Sequence, residues 1–558
     1  MTERTIADLL EAAEPTDPAP VRTLIERLSA EGRLRGARHD GRAIGAAGLA
    51  DVEVRGVTQD SRAVRPGSLF VAVPGQHVDG HDFVREAAAR GAAAALVERP
   101  APEVGLPQIV VEGAAAALAT AAAWWYGDPS HDLAVVGVTG TDGKTTTGFL
   151  ATAALEAAGI RTGMTGTAAT RIGGVQVANE AHATTPEAPA LQAALRAMVA
   201  SGDRAAVVET TSHGLALGRV GSIAYDVAIL TNLSHEHLEL HGSWEAYRDA
   251  KLSLFERLAK PAARSEPAAL GGGDQRRSAA SRSRGAKTWP KTGIVNADDP
   301  SAGAFIGVTQ EAGARVLTYG TDPAADVRAT RVEEDARRLR ITYSAPSGEG
   351  VVELQLVGRF NVHNALAVVA LGEAAGLDPA AVREGLASVP LVPGRMERID
   401  LGQPFGVIVD FAHSPASLQA VLDDLAPAAA ARGGGLIAVF GSAGERDTAK
   451  RPVMGRIAAE RCHLVVVTDE DPRGEDRATI NDAIARGAEA AGRRRGHDLL
   501  VIADRRAAIE AAFERARPGD VVLLAGKGHE RSIIGPSGPV PWNERGEAEA
   551  ALRRMGFG

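Results

Sequence analysis

Residues 133–146 read LAVVGVTGTDGKTT, an unbroken apolar run, then a glycine- and threonine-rich loop, then the opening of a helix at Lys144. A strand with one wet face alternates apolar and polar residues. A strand apolar on both faces must be buried on both, as in a parallel sheet covered by helices. The unit recurs in AAVVET (205–210), VAILTNL (227–233) and further strand-then-helix stretches through about residue 395. After VPGRMERID it restarts in FGVIVDFAH, LIAVFGSAGE, LVVVTDEDP, DLLVIADRR and DVVLLAGKG. Each run ends in a polar or glycine-rich loop, and in open parallel sheets such loops gather at the carboxyl edge, where ligands bind. The expected fold class is therefore α/β.

A chain of 558 residues is too long for one core, at about 100–200 residues per domain. Three units are expected: a small N-terminal α/β domain over 1–130, a central P-loop domain with a parallel sheet over 131–395, and a Rossmann-like C-terminal domain over 396–558. The last lacks a dinucleotide fingerprint. The first 50 residues read as an irregular, partly helical lead-in, and GDPSHD (127–132) as a linker. Residues 260–291 carry eight Lys/Arg against two acids among Gly, Ser, Ala and Pro, without periodicity, and read as a mobile surface insertion.

A net charge of -9 argues against a nucleic-acid partner. The lone Cys462 excludes an intrachain disulfide framework and a multi-cysteine metal site. The first twenty residues lack a basic-then-apolar signal pattern. The greasiest run, Gly113 to Tyr126, is short of the roughly 20 residues a membrane span needs and reads as a packed helix. No membrane span, a cytoplasmic location and a monomeric state are expected.

In Gly140-Thr141-Asp142-Gly143-Lys144-Thr145-Thr146 the glycines let backbone N–H groups turn toward phosphate oxygens at a helix N-terminus. Lys144 can reach the outer phosphates and Thr145 can ligate Mg²⁺. Val138 stands where the strict motif has its first glycine, so the loop alone does not name a reaction.

This loop resembles that of the Mur ligase family, and TTPEAP, ETTSHG, TNLSHEHLELHG, NADDP, FNVHNALA, PGRME, DFAHSP, FGSAGERD with KRP, and GKGHE follow in the order of its MurE branch. The resemblance runs from about Val57 to Glu530. It implies an ATP- and Mg²⁺-dependent ligase that converts the D-Glu carboxylate of UDP-MurNAc-L-Ala-D-Glu into an acyl phosphate, then joins it to a diamino acid for peptidoglycan. It also implies roles. Glu209 and His237 match metal contacts, with Glu236 where the family commonly has Asp. Lys251 matches a lysine the family carbamylates. Asn296, Asp298, Asp299, Asn361, Asn364, Arg395 and Asp410 match ATP contacts, with His413 beside them. Ser61, Thr184, Thr185, Thr211 and Arg219 match contacts to the UDP-linked precursor, while Leu217 replaces a polar residue. Arg446, Glu470, Asp471, Pro472, Arg473, Gly526 and Glu530 match the amino-acid pocket. Read alone, QDSR is a surface turn and NADDP an ordinary one. Two alternatives are a folylpolyglutamate synthase-like ligase, which the N-terminal module with QDSR, EDPR and GKGHE argue against, and a non-catalytic nucleotide-binding scaffold, which would be expected to lose Lys144, Glu209, His237 or Lys251.

Diaminopimelate-type members generally carry Asp-Asn-Pro-Arg where this chain has Glu470-Asp471-Pro472-Arg473. Arg473 suits a distal carboxylate, whereas an anionic Asp471 repels one and suits a lone ammonium. L-lysine or L-ornithine is therefore expected over meso-diaminopimelate.

Overall fold

The computed structural model describes residues 4–75, 78–179, 183–234, 241–259, 289–335 and 338–558. His237 and Glu236 lie outside them, as do residues 260–288 of the expected insertion. Among the described residues the apolar runs form three main sheets, each with its own core.

The first sheet orders its strands Arg42–Ile44, Leu34–His39, Gln108–Val111, Ala94–Val97, Ser68–Val71 and Gly56–Thr58, parallel over the last four. The expected lead-in is more regular than its composition suggests, because Leu34–His39 and Arg42–Ile44 pair as a hairpin and complete this sheet. Its first helix, Ile6–Ala13, sends Ile6 and Leu9 into a core shared with Leu191 and Leu195 of the central unit. The Ala-rich run forms the helix Ala114–Trp125, with ten of its twelve residues buried.

The central sheet has eleven strands, with Thr162–Thr165, Ala205–Glu209, Ala134–Thr139, Val227–Leu230, Thr292–Asn296 and Arg315–Gly320 parallel and adjacent in that order. Beyond them the expected strand-then-helix rhythm gives way to the antiparallel strands Val327–Glu334, Leu339–Ala345 and Gly348–Leu354. Leu339–Ala345 and Gly348–Leu354 alternate more and less buried residues over much of their length, the period of a sheet with one wet face. The end of the expected insertion is not surface. Trp289 is buried in the central core, and Lys291 Nζ lies 3.0 Å from Asp226 Oδ1.

The third sheet runs Glu397–Ile399, Gly406–Asp410, Val521–Ala525, Leu436–Phe440, Leu464–Val467 and Leu499–Val501, parallel except at its first strand. All five runs expected in this unit form strands. No helix among the described residues is long and apolar enough to cross a membrane.

Candidate active site

The strand Ala134–Thr139 ends in Gly140, at φ +147°, and the loop closes on Gly143, at φ +82°, before the helix Lys144–Ala157. A Cβ on Gly140 would collide with the Thr231 hydroxyl, and one on Gly143 with Asn364 Oδ1, so both glycines are required by close approach as well as by backbone shape. Lys144 Nζ donates to the carbonyls of Gly140 (2.9 Å) and Thr141 (2.6 Å). Lys251, 2 % exposed on the helix Trp244–Glu256, also donates to the Gly140 carbonyl, at 2.7 Å, and lies over the Tyr247 ring. Two residues 107 apart in sequence thus bring their ammonium groups to one oxygen of the phosphate loop.

Beside the loop, at the end of its own strand, Glu209 is fully buried. Its Oε2 accepts from the hydroxyls of Thr145 (3.1 Å) and Thr167 (2.8 Å), and its Oε1 from the Thr167 amide (3.2 Å). Burial pushes its carboxyl up from the ordinary range, against those hydrogen bonds and the more distant charges of Lys144 and Arg395. A side chain on Gly166 would occupy the same space as the carboxylate. From Glu209 a chain of hydroxyls leads outward. The Thr167 and Thr184 hydroxyls lie 2.9 Å apart, Thr185 donates to the Glu209 carbonyl (2.8 Å), and Thr185 pairs with Thr211 (3.0 Å). Arg219 closes the chain on the Thr185 carbonyl (3.0 Å) and on Glu187 (2.5 Å). Four of the five expected precursor residues therefore join the Glu209 network. Ser61 stands apart in the short helical turn Ser61–Ala63 that follows the strand Gly56–Thr58, its hydroxyl 3.3 Å from Glu86.

NADDP serves here as a brace. The Asn296 amide donates to the Thr231 carbonyl and accepts from the Asp298 amide, which uses both its ends inside the protein. Asp298 accepts from Thr321 and Asp322 and meets His363 at 2.7 Å; although burial works against it, these bonds hold its carboxyl below the usual range. Asp299 accepts from the amides of Leu233 and Ser301. Asn361 and Asn364 are buried and bonded to each other, with Thr147 donating to Asn364 at 3.2 Å. A cleft of about 240 Å³ opens here, lined by Thr146, Phe360, Asn361, Leu391, Arg395 and Glu397.

Arg395, at the junction with the third unit, reaches the phosphate loop. Its Nη2 donates to the Thr145 hydroxyl (3.3 Å) while its guanidinium lies 4.6 Å from the centre of the Phe411 ring. Asp410 accepts from the amides of Met396 and Ala412, and burial pushes its carboxyl up. His413 Nδ1 lies 2.8 Å from the Phe411 carbonyl.

At the carboxyl edge of the third sheet three loops interlock. The Gly444 amide donates to the Asp471 carbonyl and the Arg473 amide to Ile534. Glu470 is 6 % exposed, and among the described residues its buried Oε2 has no hydrogen-bond partner. Ser442 Oγ and Arg473 Nε are likewise buried without partners among them. Pro472 and Gly526 complete the turns, whereas Arg446 is exposed. Two features were missed by sequence reasoning. Lys527, fully buried, pairs with Asp471 (2.7 Å) and Glu530 (2.5 Å), so Asp471 is not the uncommitted anion expected from the sequence. Beneath it the buried Arg505, paired with Glu544, also donates to the carbonyls of Asp469 and Ala525, tying two strand ends together. The signal for Lys527 was its own motif, GKGHE, a lysine following five apolar strand residues.

Family models match most of the chain: the Mur ligase family catalytic domain over 53–126, the Mur ligase middle domain over 138–268 and 282–372, and the Mur ligase glutamate ligase domain over 394–528. The chain is 47 % identical over 510 residues to a UDP-N-acetylmuramyl-tripeptide synthetase of Roseiflexus sp. (strain RS-1), covering 91 % of this chain and 96 % of that one. It is 40 % identical over 509 residues to a UDP-N-acetylmuramoyl-L-alanyl-D-glutamate–2,6-diaminopimelate ligase of Streptomyces coelicolor, covering 90 % and 93 %. A solved structure of a UDP-N-acetylmuramoyl-L-alanyl-D-glutamate–2,6-diaminopimelate ligase superposes with a TM-score of 0.59 at 28 % identity, covering 91 % of this chain and 97 % of that one.

Proposed function

Because this chain belongs to the Mur ligase family, we infer that it is the ATP-dependent ligase that adds a diamino acid to UDP-MurNAc-L-Ala-D-Glu in peptidoglycan synthesis. The observation that carries this reading is the convergence of the phosphate loop, the buried Glu209 and Arg395 at the junction with the third unit on one hydroxyl, that of Thr145. In such a site the D-Glu carboxylate oxygen attacks the γ-phosphorus of ATP and ADP leaves. The amine of the diamino acid then attacks the acyl carbon, phosphate leaves, and the nitrogen gives up a proton. Both partners in the first step are anions, so the chain must supply positive charge and donors. Lys144 supplies an ammonium at the loop, Arg395 a guanidinium at its rim, and the N–H groups of Gly143 to Thr146 point along the helix start.

Mg²⁺ fits this donor set. It takes oxygen ligands, usually one or two carboxylates together with phosphates and water, and Glu209 with the Thr145 hydroxyl offers that. A fully buried carboxylate held by hydroxyl and amide donors is costly to keep charged, and a divalent cation offsets that cost. When bound, the ion neutralises phosphate charge during transfer. The cleft beside Asn361 is assigned to the nucleoside of ATP. Thr184, Thr185, Thr211 and Arg219 would orient the precursor's peptide end toward Glu209, with Ser61 holding the UDP end. Lys251 is read as a carbamate carrier. A carbamate forms only on a neutral amine, and the buried Lys251 Nζ lies against the Gly140 carbonyl of the loop. The protein is read as a cytoplasmic monomer.

The test is phosphate release from ATP that requires both UDP-MurNAc-L-Ala-D-Glu and a diamino acid. Release with folate and glutamate in their place would favour a folylpolyglutamate synthase-like enzyme. No release with either set would favour a scaffold.

A further inference from the structure

Arg395 reaches the Thr145 hydroxyl through one hydrogen bond of 3.3 Å, the sole one its guanidinium makes among the described residues. The buried carboxyls of Glu209 and Asp410 feel its charge, but neither forms an ion pair with it. What else holds the side chain is the ring of Phe411, whose centre lies 4.6 Å beneath the guanidinium carbon. Phe411 directly follows the strand Gly406–Asp410, and that strand end fixes the backbone around the arginine as well. The Phe411 amide donates to the Gly394 carbonyl (2.9 Å), and Asp410 Oδ2 accepts from the Met396 amide (2.7 Å). The ring is bracketed by His413 and His529, with 4.6 Å and 5.0 Å between ring centres. Gly528, at φ +46°, permits this bracket, since a Cβ there would lie 2.8 Å from Phe411 Cβ. Burial and the Arg395 cation pull His529 down to about 4, so at neutral pH it adds no charge beside the ring.

Resting on the ligase reading, we propose that Phe411 is a positioning residue for phosphoryl transfer, its ring holding the Arg395 guanidinium at the phosphate loop. The face of an aromatic ring is electronegative and attracts a guanidinium. A ring offers no acceptor oxygen, so the arginine's N–H donors stay available for phosphate. A carboxylate in the same place would take those donors and cancel the charge that two anionic reactants need. A long arginine side chain also loses rotamer freedom when it is fixed. The ring orders it before ATP arrives, so the charge stands in place when transfer begins. Phe411 touches no reacting atom in this scheme and acts through Arg395.

The test follows phosphate release from ATP with UDP-MurNAc-L-Ala-D-Glu and the diamino acid the wild-type protein uses best, both saturating. Mono-, di- and trifluorophenylalanine incorporated at position 411 nearly keep the ring's shape and drain its face step by step. With each fluorine kcat should fall, to a total of about two- to thirtyfold, the range of a cation–π contact. KM for ATP should stay within about twofold, as for an interaction made in the transition state. Phe411→Leu should show the same loss, and Phe411→Tyr, which keeps the ring, should recover most of it. In an Arg395→Ala background the fluorinated rings should change nothing further, because the residue they act on is gone. A flat fluorine series with Arg395 present, or losses that multiply with Arg395→Ala, marks a ring that only packs and overturns the proposal. The fluorinated proteins retain a phenyl ring, so they decide even if Phe411→Leu fails to fold. Release by the wild-type protein with a flat series leaves the ligase standing. Absence of release by the wild-type protein with every diamino acid overturns the ligase reading and this inference with it.

Discussion

Replacing Glu209 by glutamine should raise stability and abolish turnover, two effects of opposite sign from one substitution. The carboxylate has no exposure, and its donors are two hydroxyls and one amide. Its carboxyl sits above the ordinary value. A group raised in the folded state contributes stability at low pH and loses it as pH rises through the folded value. At neutral pH the charge is therefore a burden on the fold when no cation is bound. Glutamine has the same shape, its oxygen can keep the Thr167 amide, and the Thr145 and Thr167 hydroxyls can rotate to accept from its NH₂. Removing a buried charge from such a site should stabilise the protein by about 1–2 kcal/mol, raising Tm by roughly 2–6 °C. Loss of an anionic metal ligand should cost at least about 10²–10³ in kcat. Thermal melts with and without Mg²⁺ and a non-hydrolysable ATP analogue, alongside phosphate release, give both readouts. The ligand-induced rise in Tm should shrink in the variant. A variant that turns over within threefold of wild type, or melts lower without ligand, refutes the reasoning.

Three further outcomes are expected. Lys251→Ala should lose most activity, and short carboxylic acids should restore part of it by replacing the missing anion; no rescue at any concentration, with the fold intact, would count against the carbamate. Replacing residues 262–286 with a short Gly/Ser linker should leave turnover within about threefold, because loop length costs little, whereas Trp289→Ala should lower stability by about 3–5 kcal/mol in a denaturant melt, as for other buried tryptophans. Burial and the Arg395 cation pull His529 down from 6.5 to about 4. Stability from this group is complete above pH 6.5 and is lost as pH falls toward about 4, by up to about 3 kcal/mol; a pH series of melts should show this step in wild type and lack it in His529→Gln.

The buried strands, the phosphate loop and its flanking helix were legible in the sequence because they are local. A run apolar on both faces has to be covered on both, and a glycine at a strand end before a lysine-led helix has few other uses. The family resemblance implied a metal contact at Glu209 and precursor contacts at Thr184, Thr185, Thr211 and Arg219, and the structure links these residues through hydrogen bonds. What the sequence could not supply was pairing at long range. Leu34–His39 joins a sheet because Gln108–Val111 offers it an edge. Lys251 and Lys144 share the Gly140 carbonyl only once the helix Trp244–Glu256 packs beside the phosphate loop. Read alone, NADDP is an ordinary turn, and in the fold the hydrogen bonds of its side chains brace strand ends. The charge of Asp471 was written in the sequence. That this charge is paired was decided by a lysine 56 residues away, because burial forces every ammonium to find its partners within the fold.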